Sequence, residues 1–103
     1  PAFIAMARAL RAHGLVVFNP AENGLPPNAP WSTHMRVDIR MLMGCDRVAT
    51  LPGIDNSKGA QLELHIARAL GMPITPADNL LAWLHRNGPN SNHKASNFHT
   101  QTP

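Results

Sequence analysis

Glu63, Asp38 and one glycine-containing turn are the parts of this chain whose residue types and spacing could do chemistry. Glu63 stands about one turn into a helical pattern, flanked by Leu62 and Leu64, at the mouth of the cleft a strand–turn–helix unit would form. A carboxylate so placed can act as a nucleophile or base. On an open helix surface the same residue would make only an i,i+4 contact. Asp38 falls at the spacing of Met35 and Leu42, which turns it towards the apolar side of its helix. A buried Asp needs a partner, and Arg36, Arg40 or a backbone amide could supply one, so a site and a structural pair both fit. The turn reads LPGIDNSKGAQLE. Gly53 and Gly59 permit close backbone approach, and the amides that open the next helix, beside Ser57 and Lys58, favour an anion. Asp55 in such a stretch is most often a turn residue. A second loop begins at Asn19, after Phe18. In open α/β sheets both loops would lie beyond the carboxyl ends of strands, where ligands bind.

Other chemistries find no support. The chain has six His, but the one nearest Glu63, His65, is two residues away on the same helix, the wrong face relation for chelation. His93 and His99 fall in a polar C-terminal stretch. The single Cys, Cys45, excludes an intrachain disulfide and a Cys-based zinc site, and suits a small filler at a helix end. Phosphate-loop, dinucleotide, HExxH and GxSxG patterns do not occur. Carboxylates suffice, so no metal or organic cofactor is implied.

The elements that must position these residues can be read from period and punctuation. Pro1 to His13 predicts a helix with Phe3, Met6, Ala7 and Leu10 on one face, stopped at Gly14. Leu15 to Phe18 predicts a buried strand. Residues 19–30 hold four Pro and one Gly and predict a long loop. Ser32 or Thr33 would cap a second helix with Met35, Ile39, Leu42 and Met43 inward, ending near Gly44. Arg47 to Leu51 predicts a second strand. Ser57 would cap a third helix, residues 59–70, with Leu62, Ile66, Ala69 and Leu70 inward. Residues 73–75 predict a short third strand. Asp78 would cap a last helix, residues 79–86, with Leu80, Leu81, Trp83 and Leu84 as its apolar residues. Helix and strand alternate, which predicts a three-layer α/β/α domain with a parallel sheet over residues 1–87. The first helix has no strand before it, as in a doubly wound domain whose N-terminal strand is missing. Residues 88–103 are rich in Asn, Ser, Thr and His and read as a disordered polar tail.

At 103 residues, 44% of them hydrophobic, the chain makes one small globular domain. No apolar run approaches a membrane span, so no membrane contact is expected. A lone Cys fits a reducing cytoplasm. The net charge is +3 with Lys and Arg scattered, which suits a small anion and gives only weak support to a nucleic-acid-binding face.

The segments FNPAEN, WSTHMRVDIRMLMGCDRVATLPG and SKGAQLELHIARALGMPI resemble the nucleoside 2-deoxyribosyltransferase-like family, nearest to its small branch found often in phages and prophages. The resemblance runs from Pro1 to Thr75 and implies a flavodoxin-like fold. It implies that Glu63 is the nucleophile at the anomeric carbon of a deoxyribosyl group, and that Asp38 positions the substrate or handles the proton of the leaving base. Many members carry an Asp six residues before that Glu, to hold a free 5′-hydroxyl. Here the position is Ser57, as in the monophosphate-specific N-hydrolases, and Ser57 beside Lys58 and Gly59 suits a phosphate.

The expected function is therefore cleavage or transfer at the N-glycosidic bond of a 2′-deoxynucleoside or its 5′-monophosphate. Glu63 and Asp38 would be catalytic, and Asn19, Gly53, Asp55, Ser57, Lys58 and Gly59 would bind. The alternative is a non-catalytic nucleotide-binding or interaction protein on the same fold. A gap where the first strand would lie calls for a rearranged sheet or a neighbouring chain, hence an expected homodimer or higher homo-oligomer.

Overall fold

A computed structural model describes residues 2–53, 56–87 and 97–100. In chain order the elements are α1 (Ala2–Ala12), β1 (Val16–Phe18), a 3-10 turn (Pro20–Glu22), α2 (Trp31–Met43), β2 (Arg47–Thr50), α3 (Lys58–Ala69), β3 (Ile74–Pro76), α4 (Ala77–Asn87) and β4 (Asn97–Thr100). The four strands form one sheet in the order β1-β4-β2-β3, with every neighbouring pair parallel.

The two sheet faces carry separate cores because side chains alternate along each strand. In β2, Val48 points to a cluster with Leu42 of α2 and with Leu64 and Ala67 of α3. Its neighbour Ala49 points the other way, to Leu10 of α1 and to Leu80 and Leu84 of α4. This is the α/β/α layering, with α1 and α4 on one face and α2 and α3 on the other.

Residues 97–100 depart from the sequence-based expectation of a disordered tail, and the rest of 88–103 lies outside the described residues. Strand β4 lies between β1 and β2, pairing Val17 with Phe98 on one side and Val48 with His99 on the other. The place that the sequence leaves without a strand is thus filled by the same chain, so the gap argument for a second subunit no longer applies. Composition hid this strand because two of its buried residues, His99 and Thr100, are polar. Both are fully buried. The Thr100 hydroxyl donates to the Phe18 carbonyl at 3.2 Å, and His99 meets Glu63.

Smaller corrections follow from packing. Helix α2 starts at Trp31 with Pro30 as its N-cap and no side-chain cap, because the Pro30 carbonyl already takes the Thr33 and His34 amides. Met43 is exposed. The inward face of α3 is Ala60, Glu63, Leu64 and Ala67, with Ala69 and Leu70 outside. Both faces have helical spacing; the observed one lets Leu64 and Ala67 reach Val48. Helix α4 begins at Ala77, so Asp78 lies in its first turn instead of capping it, and Trp83 is exposed. Among the described residues, no helix is long and apolar enough to cross a membrane.

Candidate functional site

A cleft of about 220 Å³ opens where β1 and β2 end. Pro20 and Ala21 line it from the turn after β1; Trp31, His34, Met35 and Asp38 from α2; and Ser57, Gly59, Ala60 and Glu63 from the start of α3. The carboxyl end of a parallel sheet is the expected place for a ligand. Local chemistry sets each wall. The Arg11 guanidinium at the end of α1 donates to the Val17 carbonyl at 2.8 Å and to Glu22 Oε1 at 2.8 Å, tying the turn after β1 to the sheet. Asn19 Oδ1 accepts the Ala21 amide at 3.1 Å and caps the 3-10 turn. Ser57 Oγ accepts the Ala60 amide at 3.1 Å and starts α3.

The cleft brings the two expected carboxylates together. Glu63 is buried, and its Oε2 meets His99 Nε2, from β4. Asp38 is buried as well, but its partner is neither Arg36 nor Arg40, which are exposed. Asn23 Nδ2, from the long loop, donates to Asp38 Oδ1 at 3.0 Å and also reaches His34 Nδ1 at 3.0 Å. His34 Nε2 faces the Pro26 carbonyl at 3.0 Å, and Asn23 Oδ1 accepts the Leu25 amide at 3.0 Å. The roles are self-consistent if His34 is neutral with its proton on Nε2: every contact then pairs one donor with one acceptor.

Burial pushes the Asp38 carboxyl above its ordinary range, against the lowering effect of the Asn23 hydrogen bond. A carboxyl that holds its proton more readily folded than unfolded favours folding at low pH. That contribution is lost as pH rises from the ordinary value near 3.8 through the raised one. Asp38→Asn removes the buried charge and keeps an acceptor for Asn23. Thermal unfolding should show the variant more stable than the native chain at pH 7, with the gain gone below about pH 4. A lower melting temperature at pH 7 would mean that the charge itself is needed by the fold.

The remaining expected binding residues separate. Ser57 and Gly59 line the cleft. A Cβ on Gly59 would lie 2.9 Å from Met35 Sδ, so glycine lets α3 approach α2 this closely. Lys58 is exposed, with Nζ 4.1 Å from the centroid of the Trp31 ring, a cation–π contact at the rim. Gly53 has a φ of 87° in the turn after β2, which explains the glycine, but it does not line the cleft. Asn19 is buried and shapes the wall from behind. Asp55 lies outside the described residues. Cys45 is half-buried at the end of α2, where its Sγ donates to the Met41 carbonyl and burial pushes the thiol up to about 11. Among the described residues, no group of three or more His, Cys, Asp or Glu could hold a metal ion.

Four further residues belong to the site: Trp31, His34, Asn23 and His99. The four-residue spacing of His34 and Asp38 on one helix was a usable signal. Asn23 and His99 gave none, because each reaches the site only through a loop closure or a strand pairing.

The family model described as Domain of unknown function (DUF4406) matches residues 1–76, and the chain belongs to that family. The match spans α1 to β3, with both carboxylates; α4 and β4 follow it. No curated protein and no solved structure matches the chain.

Proposed function

We propose that this member of the DUF4406 family cleaves or transfers at the N-glycosidic bond of a 2′-deoxynucleoside or its 5′-monophosphate, with Glu63 as nucleophile. The observation that carries this is one cleft at the carboxyl end of the sheet, lined by two buried carboxyl side chains with different surroundings. Different environments assign different roles to like groups. Glu63 attacks C1′ of the sugar, the C1′–N bond breaks, and its electron pair leaves with the base. Asp38, whose carboxyl keeps its proton more readily than usual, supplies the proton the base takes up. The sugar is left as an ester on Glu63. Water or the N–H form of a second base then attacks C1′ and gives its proton to Asp38. The C1′–O ester bond breaks and the Glu63 carboxylate is freed, as in a retaining glycosidase.

The finer fold assignment belongs with this proposal. In a flavodoxin-like sheet the strand order is 2-1-3-4-5. The order β1-β4-β2-β3 fits it if β4 takes the place of strand 1 and β1, β2 and β3 are strands 2, 3 and 4. The cleft then lies at the switch point of that sheet.

Ser57 at the head of α3 supports a 5′-phosphate: its Oγ accepts the Ala60 amide, so its hydroxyl can still donate to an anion at a helix N-terminus, where negative charge is favoured. Asp is as good an N-cap as Ser, so Ser57→Asp keeps the helix and adds only charge. Calorimetric titration should show the monophosphate binding tighter than the nucleoside, and the variant losing ~1–3 kcal/mol for the monophosphate alone. Equal affinity of the native protein for both would remove the phosphate.

The contact of Glu63 with His99 also fits a polar core pair under a cleft that binds nucleotide without turnover. Chromatography of free base after incubation with deoxynucleosides and their 5′-monophosphates separates the two. Glycosidic chemistry releases base; a binding protein retains the nucleotide intact.

A further inference from the structure

His99 is fully buried, and its Nε2 meets Glu63 Oε2. The Phe18 ring packs beside it, with centroids 5.1 Å apart and planes 30° from parallel. Its other nitrogen, Nδ1, is buried with no hydrogen-bond partner among the described residues. That orphan decides where the proton sits. An imidazolium, or a ring protonated on Nδ1, would bury an unpaired N–H. An Nδ1–H ring would also set its Nε2 lone pair against the lone pairs of a Glu63 carboxylate. A neutral ring with its proton on Nε2 satisfies the contact and leaves only a lone pair idle. In that arrangement His99 donates and Glu63 accepts, as a carboxylate.

We infer that His99 is the positioning residue of Glu63: its Nε2–H holds Oε2 and leaves Oε1 as the oxygen that attacks the sugar. This rests on the N-glycosidic function above. A nucleophile gains most when it is held near its attack geometry before substrate arrives, and a buried donor on a central strand does that for a side chain with several rotors. The consequence is that the site is built from three places in the chain. Asp38 and Glu63 come from α2 and α3 inside the family match, and the group that orients the nucleophile comes from β4 beyond it.

The test has two arms on the full chain. In the first, base release is measured for His99→Leu, which removes the donor, and His99→Gln, whose amide nitrogen donates from a similar position. His99→Leu should lower kcat about 100-fold with KM changed less than about threefold, and His99→Gln should stay within about tenfold of the native chain. A kcat for a folded His99→Leu within about twofold of native overturns the inference, as do equal losses in both variants. In the second arm, the ring nitrogens of 15N-labelled His99 are observed in the native chain and in Glu63→Gln. A neutral ring with Nε2–H, whose proton resonance moves when the carboxylate is lost, supports the assignment even if His99→Leu fails to fold. An imidazolium, an Nδ1–H tautomer, or a spectrum indifferent to Glu63→Gln overturns it. If the native chain releases no base, the proposed function falls, while the spectrum still shows whether His99 holds Glu63.

Discussion

Glu63→Gln is expected to lower base release by about a thousandfold or more while the domain stays folded. Gln has the shape of Glu and keeps an oxygen to accept the His99 Nε2–H, so the buried contact survives. What it lacks is charge and nucleophilicity: an amide oxygen does not form the sugar ester. Glu63→Ala would lose the same activity but leave the His99 donor buried without a partner, at a cost of about 1–3 kcal/mol, so Gln is the cleaner variant. Single-turnover release of base by the two proteins, with circular dichroism to check folding, makes the comparison. Turnover within about tenfold of native in folded Glu63→Gln would mean that another group attacks the sugar.

Ending the chain at Asn87 is expected to abolish the cooperative fold. Among the described residues, strand β1 pairs with β4 alone, and β2 keeps only β3 once β4 is gone. The same cut removes His99 from Glu63 and the Thr100 hydroxyl from the Phe18 carbonyl. These losses are of the order of the ~5–15 kcal/mol that holds a small domain together. Thermal and urea unfolding followed by circular dichroism should show no sigmoidal transition for the shortened chain. A transition within a few degrees of native would mean that β4 does not hold the centre of the sheet.

How much of this was legible in the sequence depended on whether the signal was local. The runs at Val16–Phe18 and Arg47–Thr50, the Gly stops at Gly14 and Gly44, and the Ser57 cap all act within a few residues, and each element lies where its pattern predicts. Asp38 shares its period with Met35 and Leu42, so its inward turn could be read directly. The burial of Glu63 could not. Leu62 and Leu64 flank it and define two helical faces one residue apart, and only packing of Leu64 and Ala67 on Val48 chooses between them. Strand β4 was invisible for a related reason. Its buried His99 and Thr100 are polar, and their place is set by partners in α3 and β1, far away along the chain. The Asn23 link between His34 and Asp38 likewise exists only once the long loop folds back onto α2.

Intact-protein mass spectrometry of the chain treated with a 2′-fluoro-substituted arabinonucleoside or its 5′-monophosphate tests the central claim most directly. The fluorine disfavours the oxocarbenium-like transition state and so slows release of the sugar from the enzyme. The native chain should gain the mass of one fluorosugar, with or without its phosphate, and peptide mapping should place it on Glu63. The adduct should be missing in Glu63→Gln. Free base released with no adduct on the native chain, or an adduct on any other residue, would contradict Glu63 as the nucleophile.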